Sequence, residues 1–132
     1  MTEPGRSCPC GSGNGYAECC EPLHEGAAAV TAEALMRSRY AAYAVGDAAY
    51  LLRTWHPRTR PERIDLDGRT RWVGLDVRQV AGGAADDETG TVCFVAAYQR
   101  DGRPGELAET SEFVRRAGRW VYLDGERGTA IG

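Results

Sequence analysis

The run Cys8-Pro9-Cys10-Gly11-Ser12-Gly13-Asn14-Gly15-Tyr16-Ala17-Glu18-Cys19-Cys20 limits what the start of this chain can become. It sets two close pairs of thiols on either side of a glycine-rich loop. The stretch around it, residues 1–30, is rich in Gly, Cys, Pro and Ser and poor in large apolar side chains, so it cannot make a core alone and needs a staple. Four thiolates at the corners of a tetrahedron are the ligand set that zinc prefers. Gly11, Gly13 and Gly15 permit the tight backbone that brings the pairs together, and metal binding supplies folding free energy that apolar burial there cannot. The expected ligands are Cys8, Cys10, Cys19 and Cys20. His24 is the nearby alternative donor, and four cysteines are preferred over it. A disulfide within either pair is poor geometry, whereas cross-pair disulfides stay open to an oxidised chain. Iron–sulfur clusters also take four thiolates, but this spacing matches neither common ferredoxin pattern. Cys93 stands apart in Val92-Cys93-Phe94-Val95 and reads as a buried small hydrophobe.

A chain of 132 residues suits one globular domain plus a small appendage and can bury a core without disulfides. Its N-terminal residues lack an apolar h-region, so no secretory signal is expected. No apolar run reaches bilayer-spanning length. A cytoplasmic protein is the expectation, and in that compartment clustered cysteines favour metal over disulfides. The net charge is −3, and all sixteen basic residues are arginine. They form no basic run. The densest scatter, Arg58, Arg60, Arg63, Arg69 and Arg71, is interrupted by Glu62, Asp65 and Asp67, so a nucleic-acid partner is not expected.

Beyond the cysteines, Leu35, Met36, Tyr40, Tyr43 and Ala44 recur at helical spacing. Thr31 is a fitting N-cap and Gly46 a fitting stop. Asp47 caps a second short helix, Ala48 to Trp55, which Pro57 prevents from continuing. After a charged connector the periodicity changes. Arg71 to Val80 alternates around Val73, Leu75 and Val77. Gly82-Gly83 and Asp86-Asp87-Glu88 mark a turn. Thr91 to Arg100 is mostly apolar and reads as a strand covered on both faces. Asp101-Gly102 is a hairpin signal. Leu107 to Arg116 and Arg119 to Leu123 complete the set. Helices followed by an antiparallel meander predict an α+β domain with helices on one sheet face.

The cysteine run, with Tyr16 between its two halves, resembles the SEC-C motif, the small zinc knuckle found at the end of a bacterial translocation ATPase and in other bacterial proteins. Pro22-Leu23-His24, Leu35 to Tyr43, Trp72-Val73-Gly74-Leu75, Phe94-Val95-Ala96, Glu109 to Phe113 and Arg119 to Gly125 together resemble the YchJ-like family over nearly the whole chain. That resemblance implies a SEC-C knuckle over residues 1–28. Residues 29–132 would then form a cone-shaped domain of the nuclear-transport-factor-like (cystatin-like) kind, with helices packed on a curved antiparallel sheet, often around a pocket. It supplies no activity, because this fold hosts isomerases, dehydratases, cyclases and binding modules alike. Many relatives carry a second knuckle near the C-terminus; no cysteine follows Gly125 here, so a function needing two knuckles is not expected. Knuckle loops of the translocation ATPase type are often basic. This one holds Asn14, Gly15, Ala17 and Glu18, so an acidic chaperone is not an expected partner.

Pocket candidates are His56, Glu109, Ser111 and Asp124. On the third strand Leu107, Glu109, Ser111 and Phe113 share a face that could line a cavity. If His56 met Glu109 across it, the two would form an acid/base pair. The plainer alternative pairs Glu109 with Arg37 or Arg39 and leaves His56 at a helix end. The aromatic residues Tyr40, Tyr43, Trp55, Trp72, Phe94, Phe113, Trp120 and Tyr122 are expected mostly in the core. Three functions compete. An accessory or adaptor protein binding a protein or ribosome-associated partner through the knuckle is the leading expectation. The alternative is small-molecule binding or enzymatic activity in the cone pocket, and the third is thiol redox or metal handling.

Overall fold

The computed structural model describes residues 7–64, 66 and 68–127, with the side chain of residue 127 excepted. The readings made above on residues 1–6, on Asp65 and Asp67 and on the segment after residue 127 lie outside the described residues. The elements run in order: a 3₁₀ turn Tyr16–Glu18, α1 Glu21–His24, α2 Ala32–Val45, α3 Ala48–Arg53, then β1 Thr70–Gly82, β2 Thr89–Arg100, β3 Arg103–Arg116 and β4 Arg119–Arg127. The four strands form one antiparallel sheet in sequence order. Among the described residues no helix is long and apolar enough to cross a membrane.

The local signals act as chemistry requires. The Thr31 side chain accepts from the Ala34 N–H, and Gly46 ends α2 in the left-handed conformation at φ 85°. The Asp47 side chain accepts from the Tyr50 N–H to start α3. The β2–β3 hairpin turns on Asp101 and Gly102, and the β3–β4 hairpin on Ala117 and Gly118, all four with positive φ. That is the twist two-residue hairpins demand. The turn of β1 into β2 is longer, and both strands extend further than the sequence alone suggests, to Gly82 and from Thr89.

Two expectations change. In β1, Trp72 pairs with Tyr98 and Gly74 with Ala97, so Val73 is the extra residue of a bulge. A bulge shifts the phase of the strand by one residue. Trp72, Leu75 and Val77 therefore pack on the core, while Val73 is 51% exposed. A second irregularity follows Val77, and a third lies in β4 near Leu123. Bulges bend strands, and these curve the sheet around α2. The second change concerns β2. Val92, Phe94, Val95 and Ala96 are buried, but Cys93 and Ala97 are only half-buried, so the convex face of this strand is partly open.

Helix α2 lies between layers. It packs against β1, β2 and β4 on one side and against α1 and α3 on the other. Ala32, Leu35, Met36, Ser38, Arg39, Tyr40, Ala41 and Ala42 are all buried, which leaves little of the helix to solvent. Its start is stitched to the β1–β2 turn by a bond from the Ala32 N–H to the Gly83 carbonyl, 3.0 Å. There the backbones touch: a Cβ on Gly90 would lie 2.5 Å from the Gly83 Cα and 3.0 Å from the Ala32 Cβ. At the other end of the helical layer, β4 is tied to the end of α3. The Tyr122 N–H donates to the Thr54 carbonyl and the His56 N–H to the Tyr122 carbonyl, both at 2.8 Å.

The Gly90 contact is a sensitive point, because the obstructing atoms are backbone. Gly90→Ala is expected to destabilise the protein by about 1–3 kcal/mol, as overpacking does. Thr31→Ala, which loses only a cap, should cost about 1 kcal/mol. Urea unfolding midpoints of the two variants check the order.

Candidate functional site

Two constellations stand out, a thiol cluster and a cavity. In the first, Cys8 to Cys10 form a tight turn in which the Gly11 N–H donates to the Cys8 carbonyl at 3.1 Å. Gly11 follows at φ 79° and Gly13 at 92°, so the loop reverses through conformations that side chains disfavour. The Cys8 N–H then donates to the Asn14 carbonyl, and Ser7 bridges Gly15, closing the loop on itself. The 3₁₀ turn delivers Cys19, and Cys20 sits at the N-cap of α1. As a result the four sulfurs all lie within 4.8 Å of one another.

The Cys10–Cys19 and Cys19–Cys20 sulfur separations are 3.6 and 3.9 Å. Metal–thiolate bonds of about 2.3 Å in a tetrahedron give edges of about 3.8 Å. The four side chains therefore fit one tetrahedral metal ion. Cys8, Cys10 and Cys20 are buried and Cys19 half-buried, and all are free of disulfides. Ser12 Oγ lies 3.2 Å from the Cys19 sulfur, within reach of a supporting hydrogen bond. Three of the thiols act on one another. Hydrogen bonding from Cys20 pulls Cys10 down to about 4, burial pushes Cys8 up to about 11, and the bond to Cys10 raises Cys20.

His24 is occupied elsewhere. Its Nε2 donates to the Ser38 carbonyl at 2.8 Å, and its Nδ1 pairs with the Tyr16 hydroxyl at 2.6 Å. A carbonyl only accepts, so in the neutral ring the proton sits on Nε2 and Tyr16 donates to Nδ1. The ring thus ties the knuckle to α2. Arg37 makes a second tie, donating to the Cys10 carbonyl at 3.0 Å, and Arg53 reaches the His24 carbonyl at 2.5 Å. Cys8, Cys10 and Cys20 belong to the same apolar cluster as Leu35, Met36, Phe94 and Trp120.

The second constellation is a cavity of about 220 Å³ between α2 and the concave face of the sheet. Leu107, Glu109, Ser111 and Phe113 of β3 do share its wall, beside Met36, Arg39, Tyr40 and Tyr43 of α2 and Trp55, Trp72, Phe94, Ala96 and Tyr122. Seven of the eight aromatic residues named from the sequence line this space rather than fill it, and only Trp120 is absent from its wall. Tyr40 and Tyr43 come from α2, and both meet Trp72 of the sheet, at 6.0 and 6.1 Å between ring centres. Edge-on contacts, such as Trp72 with Tyr98 at 5.4 Å and Trp55 with Tyr122 at 5.0 Å, fix the orientation of the rings.

Polar groups are few and placed. Ser111 Oγ donates to Glu109 Oε2 at 2.7 Å, and the Tyr122 hydroxyl donates to the same oxygen at 3.3 Å. Burial, with the Glu109 charge beside it, raises the Tyr122 pKa and keeps the phenol protonated. The carboxyl group rests on Gly125 of β4, where an added Cβ would come 2.0 Å from Oε2. Arg39, 6% exposed, donates through Nη1 to the Leu51 carbonyl at 2.8 Å and to Thr54 Oγ1 at 2.7 Å. Its guanidinium carbon lies 4.6 Å from the Tyr122 ring centre and 5.1 Å from that of Trp55. Burial pushes its pKa down.

Two pocket candidates are not brought to the cavity. His56 sits outside it, held by its N–H to Tyr122 and accepting through Nδ1 from the Arg58 N–H at 3.0 Å. The acid/base pair with Glu109 is therefore not assembled; Trp55, one residue earlier, occupies the wall. Asp124 pairs across the sheet with Glu112 on the outer face and is exposed, because the β4 irregularity turns Gly125 rather than Asp124 inward. The Glu109 pairing with Arg37 or Arg39 also gives way. Arg37 bonds Glu33 at 3.0 Å, and Arg39 makes no ion pair among the described residues. Arg39 itself was not singled out as a cavity residue, since an arginine amid helix periodicity reads as exposed. Its one signal is the i, i+4 relation to Tyr43 and to the apolar Leu35 on the buried face.

Since both ring nitrogens of His24 are engaged, His24→Gln is expected to leave metal stoichiometry unchanged while destabilising the protein by about 1–3 kcal/mol through two lost, half-buried hydrogen bonds. Metal content and thermal unfolding of the variant check this; loss of the metal would make His24 a ligand.

Comparison with known proteins covers both parts of the chain. Residues 7–22 match the SEC-C motif, and residues 31–125 match the family described as YchJ, middle NTF2-like domain. A UPF0225 protein of Streptomyces coelicolor is 57% identical over 93% of this chain and 97% of its own length. A UPF0225 protein of Deinococcus radiodurans is 50% identical over 92% of this chain and 89% of its own. The solution structure of a SEC-C motif containing protein from Rhodopseudomonas palustris superposes with a TM-score of 0.79 at 37% identity, covering 90% of this chain and 96% of that one. A crystal structure of such a protein from Psychrobacter arcticus gives 0.76 at 26% identity, covering 100% of this chain and 88% of that one. With a cysteine knuckle capping a curved sheet and matches of this extent, the chain belongs to the UPF0225 family, a SEC-C motif joined to a YchJ-type NTF2-like domain.

Proposed function

We propose that this protein binds a small molecule in the cone cavity, and that its knuckle is a structural zinc clamp on that cone. The observation that carries the proposal is the cavity itself, about 220 Å³ left open inside a ring of aromatic side chains. Interiors close-pack, and spaces of this size are few. A mostly apolar wall with a few convergent polar groups is the usual form of a ligand site. Seven large rings could have collapsed into it at a gain in apolar burial, so the space is held open by the curvature of the sheet.

Zinc suits the knuckle on ligand chemistry. Four soft thiolates fill a tetrahedron and leave no open position for a substrate, which favours a structural over a catalytic role. The family relation adds support, since the chain's residues 7–22 match the SEC-C motif. A cytoplasmic location accords with four reduced thiols. A protein partner bound through the knuckle has less behind it. The knuckle turns three of its cysteines into the core, and the exposed large apolar residues among those described, Val30, Val45, Val73 and Val80, lie outside residues 7–22.

The purified protein is expected to carry one zinc per chain, with four further thiols appearing on metal release. Cys10→Ser should lose the metal. Because Cys8, Cys10 and Cys20 share a cluster with Leu35 and Trp120, that loss should also lower the unfolding midpoint of the cone. Elemental mass spectrometry with thiol titration reads the first part; iron or disulfides in place of zinc would overturn it.

For the cavity, a neutral probe suffices. Benzyl alcohol should bind saturably and shift the NMR signals of Trp55 and Trp72, and Ala96→Leu, which fills the wall, should abolish both effects. A wild-type protein indifferent to the probe ends the small-molecule reading.

A further inference from the structure

Arg39 is the least expected side chain in the cavity wall. It is nine-tenths or more buried, and it has no carboxylate within ion-pair distance among the described residues. The Glu109 carboxylate acts on its charge only from beyond contact distance, and a buried charge without a contacting counter-ion is costly. What holds it is a partial set of bonds. Both hydrogens of Nη1 are used, by the Leu51 carbonyl and by Thr54 Oγ1. Neither partner is charged. The Nε and Nη2 edge of the guanidinium has no acceptor among the described residues, and Arg39 lines the cavity.

That edge carries two parallel N–H groups, the arrangement that matches the two oxygens of a carboxylate. The rings of Tyr122 and Trp55, 4.6 and 5.1 Å from the guanidinium carbon, hold the group in place in the cavity wall before any ligand arrives. The indole Nε1 of Trp55 is unbonded too, but it is fully enclosed and presents no surface to a guest. The open edge of Arg39 therefore carries the demand for an acceptor-rich group.

The rest of the wall sets the body of the ligand. Apart from Glu109 and Ser111 it is aromatic and aliphatic. An apolar cavity of about 150 Å³ accommodates benzene, so 220 Å³ suits one ring, or a branched chain of like size, with a short polar head. A hydrated phosphate would lose far more solvation in such surroundings than a monoanion with an apolar body. We propose that the cavity binds a small organic monocarboxylate, its carboxylate held by the Nε and Nη2 edge of Arg39 and its apolar body against Trp72 and Phe94. Glu109 faces the same space and opposes the negative charge, so it tunes affinity downward and shuts out dianions.

This inference rests on the cavity being a ligand site, and the test separates the two. Benzoate and its neutral isostere benzamide are titrated into the intact zinc-loaded protein. Benzoate should bind at least about tenfold more tightly. Glu109→Gln, which keeps an acceptor for Ser111 and Tyr122, should strengthen benzoate about fivefold or more through loss of like-charge repulsion and leave benzamide unmoved. Arg39→Gln should erase the preference; if that variant does not fold, the first two measurements still decide. Benzamide binding as well as benzoate, or Glu109→Gln weakening benzoate, overturns the carboxylate assignment while benzyl alcohol binding upholds the cavity. Failure of all three probes overturns both.

Discussion

A helix buried on two sides must satisfy its polar side chains from its neighbours, and α2 makes this demand at Ser38 and Arg39. Ser38, fully buried, donates to the Leu35 carbonyl and accepts from the Tyr50 hydroxyl, both at 2.7 Å, and its own carbonyl takes the His24 proton. Arg39 takes the Leu51 carbonyl and Thr54. One turn of helix thereby recruits α1, α3 and the knuckle through directional bonds. The sheet is held through the same turn, because Met36, Tyr40 and Tyr43 on its other side meet Trp72 and the cavity. Apolar contacts tolerate sliding, whereas buried hydrogen bonds do not. These bonds therefore fix how α2 sits above the sheet, and with it the width of the cavity.

The knuckle is bound into the same framework. As a sequence it looks like an appendage, because its thirteen residues from Cys8 to Cys20 hold almost nothing apolar. In the fold its sulfurs behave as apolar atoms and join the cluster with Leu35 and Trp120. Tyr16 and His24 link it to the Ser38 carbonyl, and Arg37 grips the Cys10 carbonyl. The thiol loop, whose four sulfurs fit one metal ion, covers one side of α2. Its effect on the cavity is exerted through the helix, without any cysteine reaching the cavity wall.

Much of this was legible because it rests on local chemistry. Thr31, Gly46 and Asp47 act through atoms within four residues, and Asp101-Gly102 sets its hairpin by backbone conformation alone. The alternation of Leu107, Glu109, Ser111 and Phe113 survives because β3 carries no bulge over that span. What failed was whatever depends on the partner strand. The bulge at Val73 turns that residue outward and Trp72 inward, and the irregularity near Leu123 turns Asp124 outward; neither leaves a mark such as glycine at the extra residue. His56 was misplaced for a related reason, since the pairing of Thr54 and His56 with Tyr122 decides that Trp55 faces inward. Arg39 was missed because periodicity scores polarity, and its burial depends on acceptors from α3 and the following loop.

Gly125 carries a consequence of its own. Its bare Cα lets the Glu109 carboxyl lie flat on β4, where any side chain would collide with Oε2. Even alanine there would have to displace the carboxyl group, and with it the acceptor that Ser111 and Tyr122 share. The polar corner of the cavity thus depends on a residue that is not itself part of its wall. One methyl group on β4, outside the lining, would be enough to rearrange it.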